Sequence, residues 1–182
     1  MIEIMLNTFI DHLHSLNRSR RTLGRGALVF ERDDPVRNYY LVSTGEVHLL
    51  RRQEDGSAVI MQRAGVGMLL AESSFTAQHY HCSAVTVSES ELLVFKKADV
   101  QKLLADDASA AHSLILYLTQ EMQRTRKRAE ILSLRRVEDR VSAWLIWNDG
   151  QLPVRGQWLG LAAEIGVSPE ALYRELARRR DN

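Results

Sequence analysis

The sequence predicts an α+β chain. It places a jelly roll (a double-stranded β-helix barrel) first, then one long helix, then a C-terminal pair of short helices. Three observations carry this. Between Thr22 and Phe95, short apolar runs recur about every ten residues with a turn signal between them, the spacing of a sandwich or barrel. From Lys97 the apolar residues recur at intervals of three and four, the period of a helix. Near the end, Gly166 and Ser168-Pro169 punctuate two short helical patterns.

Taken in order, Ile4, Phe9, Ile10, Leu13 and Leu16 predict a short amphipathic helix from Met1 to about Leu16. The strand runs are Ala27–Phe30, Tyr39–Val42, Val47–Leu50, Ala58–Met61, Cys82–Val87 and Leu92–Phe95. Gly24-Arg25-Gly26, Asp33-Asp34-Pro35, Thr44-Gly45-Glu46 and Glu54–Ser57 turn the chain between the early ones. Asp99 is placed to cap a short helix reaching Leu104. The long helix is expected over residues 109–133. Its Leu114, Leu118, Met122, Thr125, Ala129 and Leu132, with Glu121 beside them, form a narrow seam suited to a second copy of the chain. A further helix, Arg136–Trp147, offers Val137, Val141, Trp144 and Leu145 to a core before Asn148-Asp149-Gly150 and Pro153 break it. The expected division is a sensing barrel with flanking helices over 1–108, a dimerisation helix over 109–135, and a helix-turn-helix domain over 136–182.

Composition sets the limits. With 182 residues, 45% hydrophobic and 26% charged, the chain can bury a real core and is not disordered. No apolar run approaches the roughly 18 residues that cross a bilayer, so no membrane partner is expected. The N-terminus lacks a basic segment before an apolar core, and the expected location is the cytoplasm. One cysteine, Cys82, cannot form an internal disulfide or hold an iron–sulfur cluster. Net charge is only +1, but it is unevenly spread: residues 1–120 carry 12 basic and 14 acidic side chains, residues 121–182 carry 12 and 9. The basic excess therefore lies in the last third, where arginines could meet phosphate.

The segment Leu159–Ala177 is the strongest motif. Leu161, Ala162 and Ile165 share one helical face, Gly166 closes that helix, and Val167 fills the turn. Ser168 caps the next helix, Pro169 takes its first position, and Leu172 and Leu176 return to the core. This is a helix-turn-helix whose second helix presents Pro169, Glu170, Tyr173 and Arg174 outward. Arginine can donate two bonds to guanine and a carboxylate can accept from cytosine, so that face suits base edges.

A barrel, a long helix and a helix-turn-helix in this order resemble the Crp/Fnr superfamily of bacterial transcription regulators. The resemblance runs from about Thr22 to Arg180. It rests on Gly45-Glu46-Val47, on Gly67–Phe75 with its Leu70-Ala71-Glu72-Ser73, on Arg140-Val141, and on Gly166–Arg174. It implies a cyclic-nucleotide-binding-like barrel and a homodimer that binds a two-fold DNA repeat. Glu170 and Arg174 match the family's base-reading acid and arginine. Pro169 stands where cyclic-AMP-type members carry a further arginine, and Tyr173 where a small residue is usual, so the target sequence differs. Gln157 and Trp158 fall where backbone contacts precede the first helix, with Trp158 read as core, and Arg178 could meet phosphate. The family continues into a β-hairpin wing, whereas this sequence stops at Asn182, so a helix-turn-helix without a full wing is expected. Its activators touch RNA polymerase near the segment that is short here, Asn148–Gly156, implying a different activating surface or none.

The resemblance also sets the effector expectations. Glu72 matches the glutamate that takes a ribose hydroxyl, and Ser73 follows it. Cys82, followed by Ser83, stands where the phosphate-binding arginine belongs. A buried phosphate without its cation is costly, so cyclic AMP is not the expected ligand. Thr125 fits a base-contacting position, with Arg126 beside it. His79, His81 and Cys82 leave a haem or metal site open, although a strand would turn Cys82 away from the two histidines. The effector is otherwise unidentified. The leading reading is a regulator, not an enzyme. Alternatives are a metal- or haem-binding sensor, a ligand-binding dimer module with weak DNA binding, and, last, a cupin-like metalloenzyme.

Overall fold

The computed structural model describes residues 9–180. The chain divides into two compact units, Met1–Leu118 and Thr119–Asn182, and the division falls inside the long helix.

The first unit is built on eight strands: β1 (Ser19–Leu23), β2 (Leu28–Phe30), β3 (Asn38–Thr44), β4 (Val47–Arg52), β5 (Ala58–Ala64), β6 (Leu69–Leu70), β7 (Ser83–Thr86) and β8 (Ser90–Lys96). They form two four-stranded antiparallel sheets, ordered β1-β8-β3-β6 and β2-β7-β4-β5. The expected barrel is therefore a pair of sheets rather than one continuous ladder. Tyr39, Leu41, Val47, Leu49, Leu92 and Phe95 are among the buried residues of its core.

Two strands went unread in the sequence, β1 and β6. β1 begins at Ser19, before the expected Thr22, and exists through its full pairing with β8, from Ser19↔Val94 to Leu23↔Ser90. The N-terminal helix (α1) is described over residues 9–14, and its Phe9 and Leu13 are fully buried in the same core. Ile4, expected on that face, lies outside the described residues.

Helix α2 (Lys97–Asp106) begins after Lys96, with Asp99 in its first turn and no side-chain cap. Asp99 thus meets the helix dipole from inside the helix instead of capping it. Helix α3 is Ala108–Ser133. Its start is capped by Asp107, whose Oδ1 accepts from the Ser109 and Ala110 amides at 2.8 and 3.2 Å. Tyr117 is buried, and its hydroxyl accepts the Leu69 amide at 3.0 Å. Leu114 and Leu118 pack on this unit's own core. That corrects the expected seam at its first end: Leu114 faces inward, while Ile115 is 61% exposed.

The second unit holds the rest of α3 with α4 (Val137–Trp147), α5 (Trp158–Glu164) and α6 (Pro169–Arg180). Ile131, Val141, Trp144, Leu161, Ala162, Ile165, Leu172 and Leu176 form its core. Gly166 takes φ +67, and a Cβ there would lie 2.5 Å from Leu132 Cδ2. Arg140 ties the turn together: its guanidinium donates to the carbonyls of Leu132, Leu134, Ile165 and Gly166 at 2.7–3.1 Å. Arg140 therefore holds carbonyls that would otherwise be orphaned at two helix ends.

Candidate nucleic-acid interface and effector pocket

The turn between α5 and α6 follows its sequence. Ser168 accepts the Ala171 amide on its hydroxyl at 3.2 Å and the Leu172 amide on its carbonyl at 3.0 Å, the geometry of an N-cap. Leu172 and Leu176 are buried, which turns Glu170, Tyr173 and Arg174 outward as exposed residues beside half-buried Pro169. The Glu170 carboxyl is held below the usual range by its own amide and the Ser168 hydroxyl, so it is an acceptor at neutral pH. Tyr173 is steadied by Trp158, whose ring centroid lies 5.7 Å away. Trp158 itself is half-buried and donates from Nε1 to the Pro153 carbonyl at 3.0 Å, as its reading as core required. Gln157, just before α5, is exposed.

Arg178 is more committed than the sequence suggested. Its guanidinium donates twice to Glu175 at 2.9 Å and reaches Glu138 at 3.3 Å, with about half its side chain (53%) exposed. Arg179 donates to Glu175 at 2.6 Å and to the Glu138 carbonyl and Ser142 hydroxyl at 2.7 Å. These bonds clamp α6 to α4. The Arg178 hydrogen bond, joined by Arg179, holds the buried Glu175 carboxyl below the usual range. A lowered folded pKa gives stability that is present above the unfolded value of about 4.3 and lost as pH falls through the folded one. Glu175→Gln is expected to lower stability at neutral pH and to flatten the loss below about pH 4.5. Tryptophan emission reads this directly, because all three tryptophans (Trp144, Trp147 and Trp158) lie in the second unit. An unchanged acid slope would remove Glu175 from the account.

The other expected residues lie partly inside the jelly roll. Ala71 takes a left-handed conformation (φ 52) and opens a 3-10 turn, Glu72–Ser74. Gln62 Nε2 donates to Glu72 Oε2 at 2.9 Å and to the Leu69 carbonyl at 3.2 Å. Cys82 is fully buried, and burial pushes its thiol up to about 11, so it is an inert thiol at neutral pH. Ser83 departs from its expected place. It stands between buried Cys82 and Ala84 on the opposite face of the strand, and its hydroxyl accepts the Arg32 amide at 3.0 Å. Thr125 and Arg126 are exposed residues of the second unit.

The histidines are not gathered with the cysteine. Among the described residues no three His, Cys, Asp or Glu side chains come together as a metal site. His81 contacts the Ser73 and Ser74 hydroxyls at 3.3 and 3.4 Å, and His79 is bridged to Pro35 in a short antiparallel pairing. Cys82 is fully buried with a raised thiol, and the His81 imidazole is taken up by the two serine hydroxyls.

What the sequence reading missed is Arg51. It lies on the same face of β4 as buried Val47 and Leu49, so strand alternation carries its side chain toward the interior. Its Nη2 donates to the His81 carbonyl at 3.2 Å, and it shares the electrostatic surroundings of Cys82 with Glu72. The period-two pattern of Val47 and Leu49 was the available signal.

Comparison with known proteins agrees with this architecture. Residues 20–107 match the family described as the cyclic nucleotide-binding domain. The cyclic AMP receptor protein of Thermus thermophilus is 29% identical over 167 residues, which is 86% of this chain and 74% of that protein. The chain is thus similar to that domain over about half of its length and to that receptor over most of it. Among solved structures, FixK2 from Bradyrhizobium japonicum shares the fold at a TM-score of 0.71 with 19% identity, covering 91% of this chain and 86% of that one. The catabolite activator protein of Thermus thermophilus has a TM-score of 0.54 and 25% identity, over 99% of this chain and 82% of that one. Among the described residues no helix is long and apolar enough to cross a membrane.

Proposed function

We propose that this protein is a transcription regulator that binds a two-fold repeat of double-stranded DNA as a homodimer, under control of its jelly roll. The observation that carries the reading is the outward face of α6. Glu170, Tyr173 and Arg174 are exposed beside half-buried Pro169 at the N-terminal end of a capped helix, where a recognition helix meets base edges. Gln157 and the Ser168 turn flank it for backbone contacts. Arg178 sits one turn beyond Arg174, where a phosphate must compete with Glu175 and Glu138.

The Thermus relative is by name a cyclic AMP receptor, and an effector in the jelly roll of this chain would act by shifting the population of DNA-competent dimers. The missing arginine at Cys82 argues against cyclic AMP as that effector. The regulator is proposed to have no catalytic residue.

Selection from random duplex DNA tests the proposal. Enrichment of an inverted repeat with half-sites about 10 base pairs apart is expected without added ligand. Arg174→Ala should cost about 1–3 kcal/mol of binding and relax the choice at one base position in each half-site. Failure to enrich any repeat would favour the ligand-binding module with weak DNA affinity. The specific support for that second reading is the pairing of Arg178 and Arg179, which are internally neutralised.

A further inference from the structure

The interior of the jelly roll holds polar atoms that protein groups leave unmatched. Arg51 Nε is buried and has no hydrogen-bond partner among the described residues, although Nη2 of the same guanidinium donates to the His81 carbonyl. Gln62 Oε1 is likewise buried without a partner, while its Nε2 is fully used by Glu72 and the Leu69 carbonyl. One orphan is a charged donor and the other is an acceptor. A buried charge or polar group left unpaired is costly, and a molecule that offers both complements relieves the cost of both.

The two orphans face the same interior. Val47, Leu49 and Arg51 share one face of β4, and Gln62 pairs directly with Leu49 across the β4–β5 ladder. The register breaks just past that pair, between Leu49 and Leu50, and it resumes with Leu50↔Ile60 and Arg51↔Val59. Met61 is thus the extra residue of a bulge on β5, exposed, while Gln62 turns in. On the other side, β7 pairs Leu49 with Ala84 and Leu50 with Ser83, which brings Cys82 next to Arg51. Glu72, fixed by Gln62, completes the cluster. Arg51, Gln62, Glu72 and Cys82 thus come from four neighbouring segments of one unit.

We infer that this interior binds a small organic anion that also carries a hydroxyl or amino donor. Arg51, entering from β4, supplies the cation that Cys82 does not, and Gln62 with Glu72 receives the donor. The anionic end must lie toward Arg51 and away from Glu72, whose carboxylate repels it and accepts only a donor. The inference rests on the regulator reading of the same pocket.

The test is calorimetry on the full chain with glycerol 3-phosphate, malate, inorganic phosphate and cyclic AMP. Saturable binding of glycerol 3-phosphate or of malate is expected, the active one telling whether phosphate or carboxylate is the anion. Binding should weaken at least ten-fold in Arg51→Gln, with the far-UV circular dichroism spectrum unchanged. Gln62→Leu serves as a second variant: it should weaken the hydroxylated probe more than inorganic phosphate. Binding of neither hydroxylated probe, equal binding to Arg51→Gln, or tighter binding of cyclic AMP than of both would overturn the inference. No DNA enters this measurement, so the two readings fail separately. Anion binding by a protein that selects no DNA sequence would sink the regulator, and DNA selection by one that binds no probe would sink the pocket.

Discussion

Gly45→Ala is expected to destabilise the jelly roll by about 3–5 kcal/mol, a large share of a domain's net stability. Gly45 closes the β3–β4 turn with φ +83, where an L-residue is already strained. The added Cβ would also lie 2.3 Å from the Glu89 carbonyl oxygen, 2.3 Å from Ser90 Oγ and 2.8 Å from Ser90 Cα. Two of those three atoms are backbone, so no rotamer change relieves the clash. Ser90 opens β8, which lies between β1 and β3 and sets the register of both through Leu23↔Ser90 and Thr44↔Glu91. Displacing it therefore disturbs a whole sheet. Gly56→Ala is the matched control: φ is +82, but nothing lies within 4 Å of the added Cβ, so only the backbone cost of about 1 kcal/mol remains. Urea unfolding followed by far-UV circular dichroism compares the two, and hydrogen exchange should locate the Gly45→Ala loss in β8. Equal destabilisation at both glycines would remove the steric part of this account. The same geometry explains why Gly45-Glu46-Val47 served as a marker of the fold.

Much of this architecture was legible because local signals and tertiary packing agree. The turn at Gly166 and the cap at Ser168 are fixed by backbone conformation, which one or two residues can announce. Strand β1 was different. Its sequence Ser19-Arg20-Arg21-Thr22-Leu23 carries no apolar run, and it becomes a strand only because β8 offers a complete edge. Two-residue β6 is too short to leave a pattern. On α3, residues spaced by three and four mark two adjacent stripes equally well, and Tyr117 decides between them by anchoring in the first core. That places Leu114 inside and leaves Ile115 on the surface. In the pocket, Glu72 and Cys82 could be found by position, whereas Arg51 is announced only by the period-two pattern of Val47 and Leu49. An arginine near a strand end ordinarily reaches water, and its partner across the ladder depends on a bulge that no residue type in β5 signals. The pairing of Arg178 with Glu138 was equally hidden, since the two are 40 residues apart in sequence and meet only after α6 docks on α4.

If the proposed homodimer forms along α3, Met122→Glu is expected to abolish it, raising the dissociation constant by at least about 100-fold through an unpaired carboxylate placed in the proposed seam twice over. Ile115, Leu118, Met122, Thr125, Ala129 and Leu132 alternate spacings of three and four along α3, the repeat that lets two helices mesh. Met122 is 46% exposed and Leu132 38%, apolar surface on a helix that otherwise carries Gln123, Arg124 and Arg126 to water. Leu118 is the poorer place to test the seam, because it also packs on the first unit's core and a glutamate there would damage folding. At Met122 the loss is confined to association. Gln123→Glu, also exposed and outside the repeat, adds the same charge to the neighbouring position and should leave the dimer intact. Sedimentation velocity across micromolar concentrations distinguishes the two. A Met122→Glu protein that still sediments as a dimer would place the interface elsewhere. A monomeric variant that also loses selection of the DNA repeat would tie the seam to function, because two recognition helices address two half-sites only when one dimer holds both.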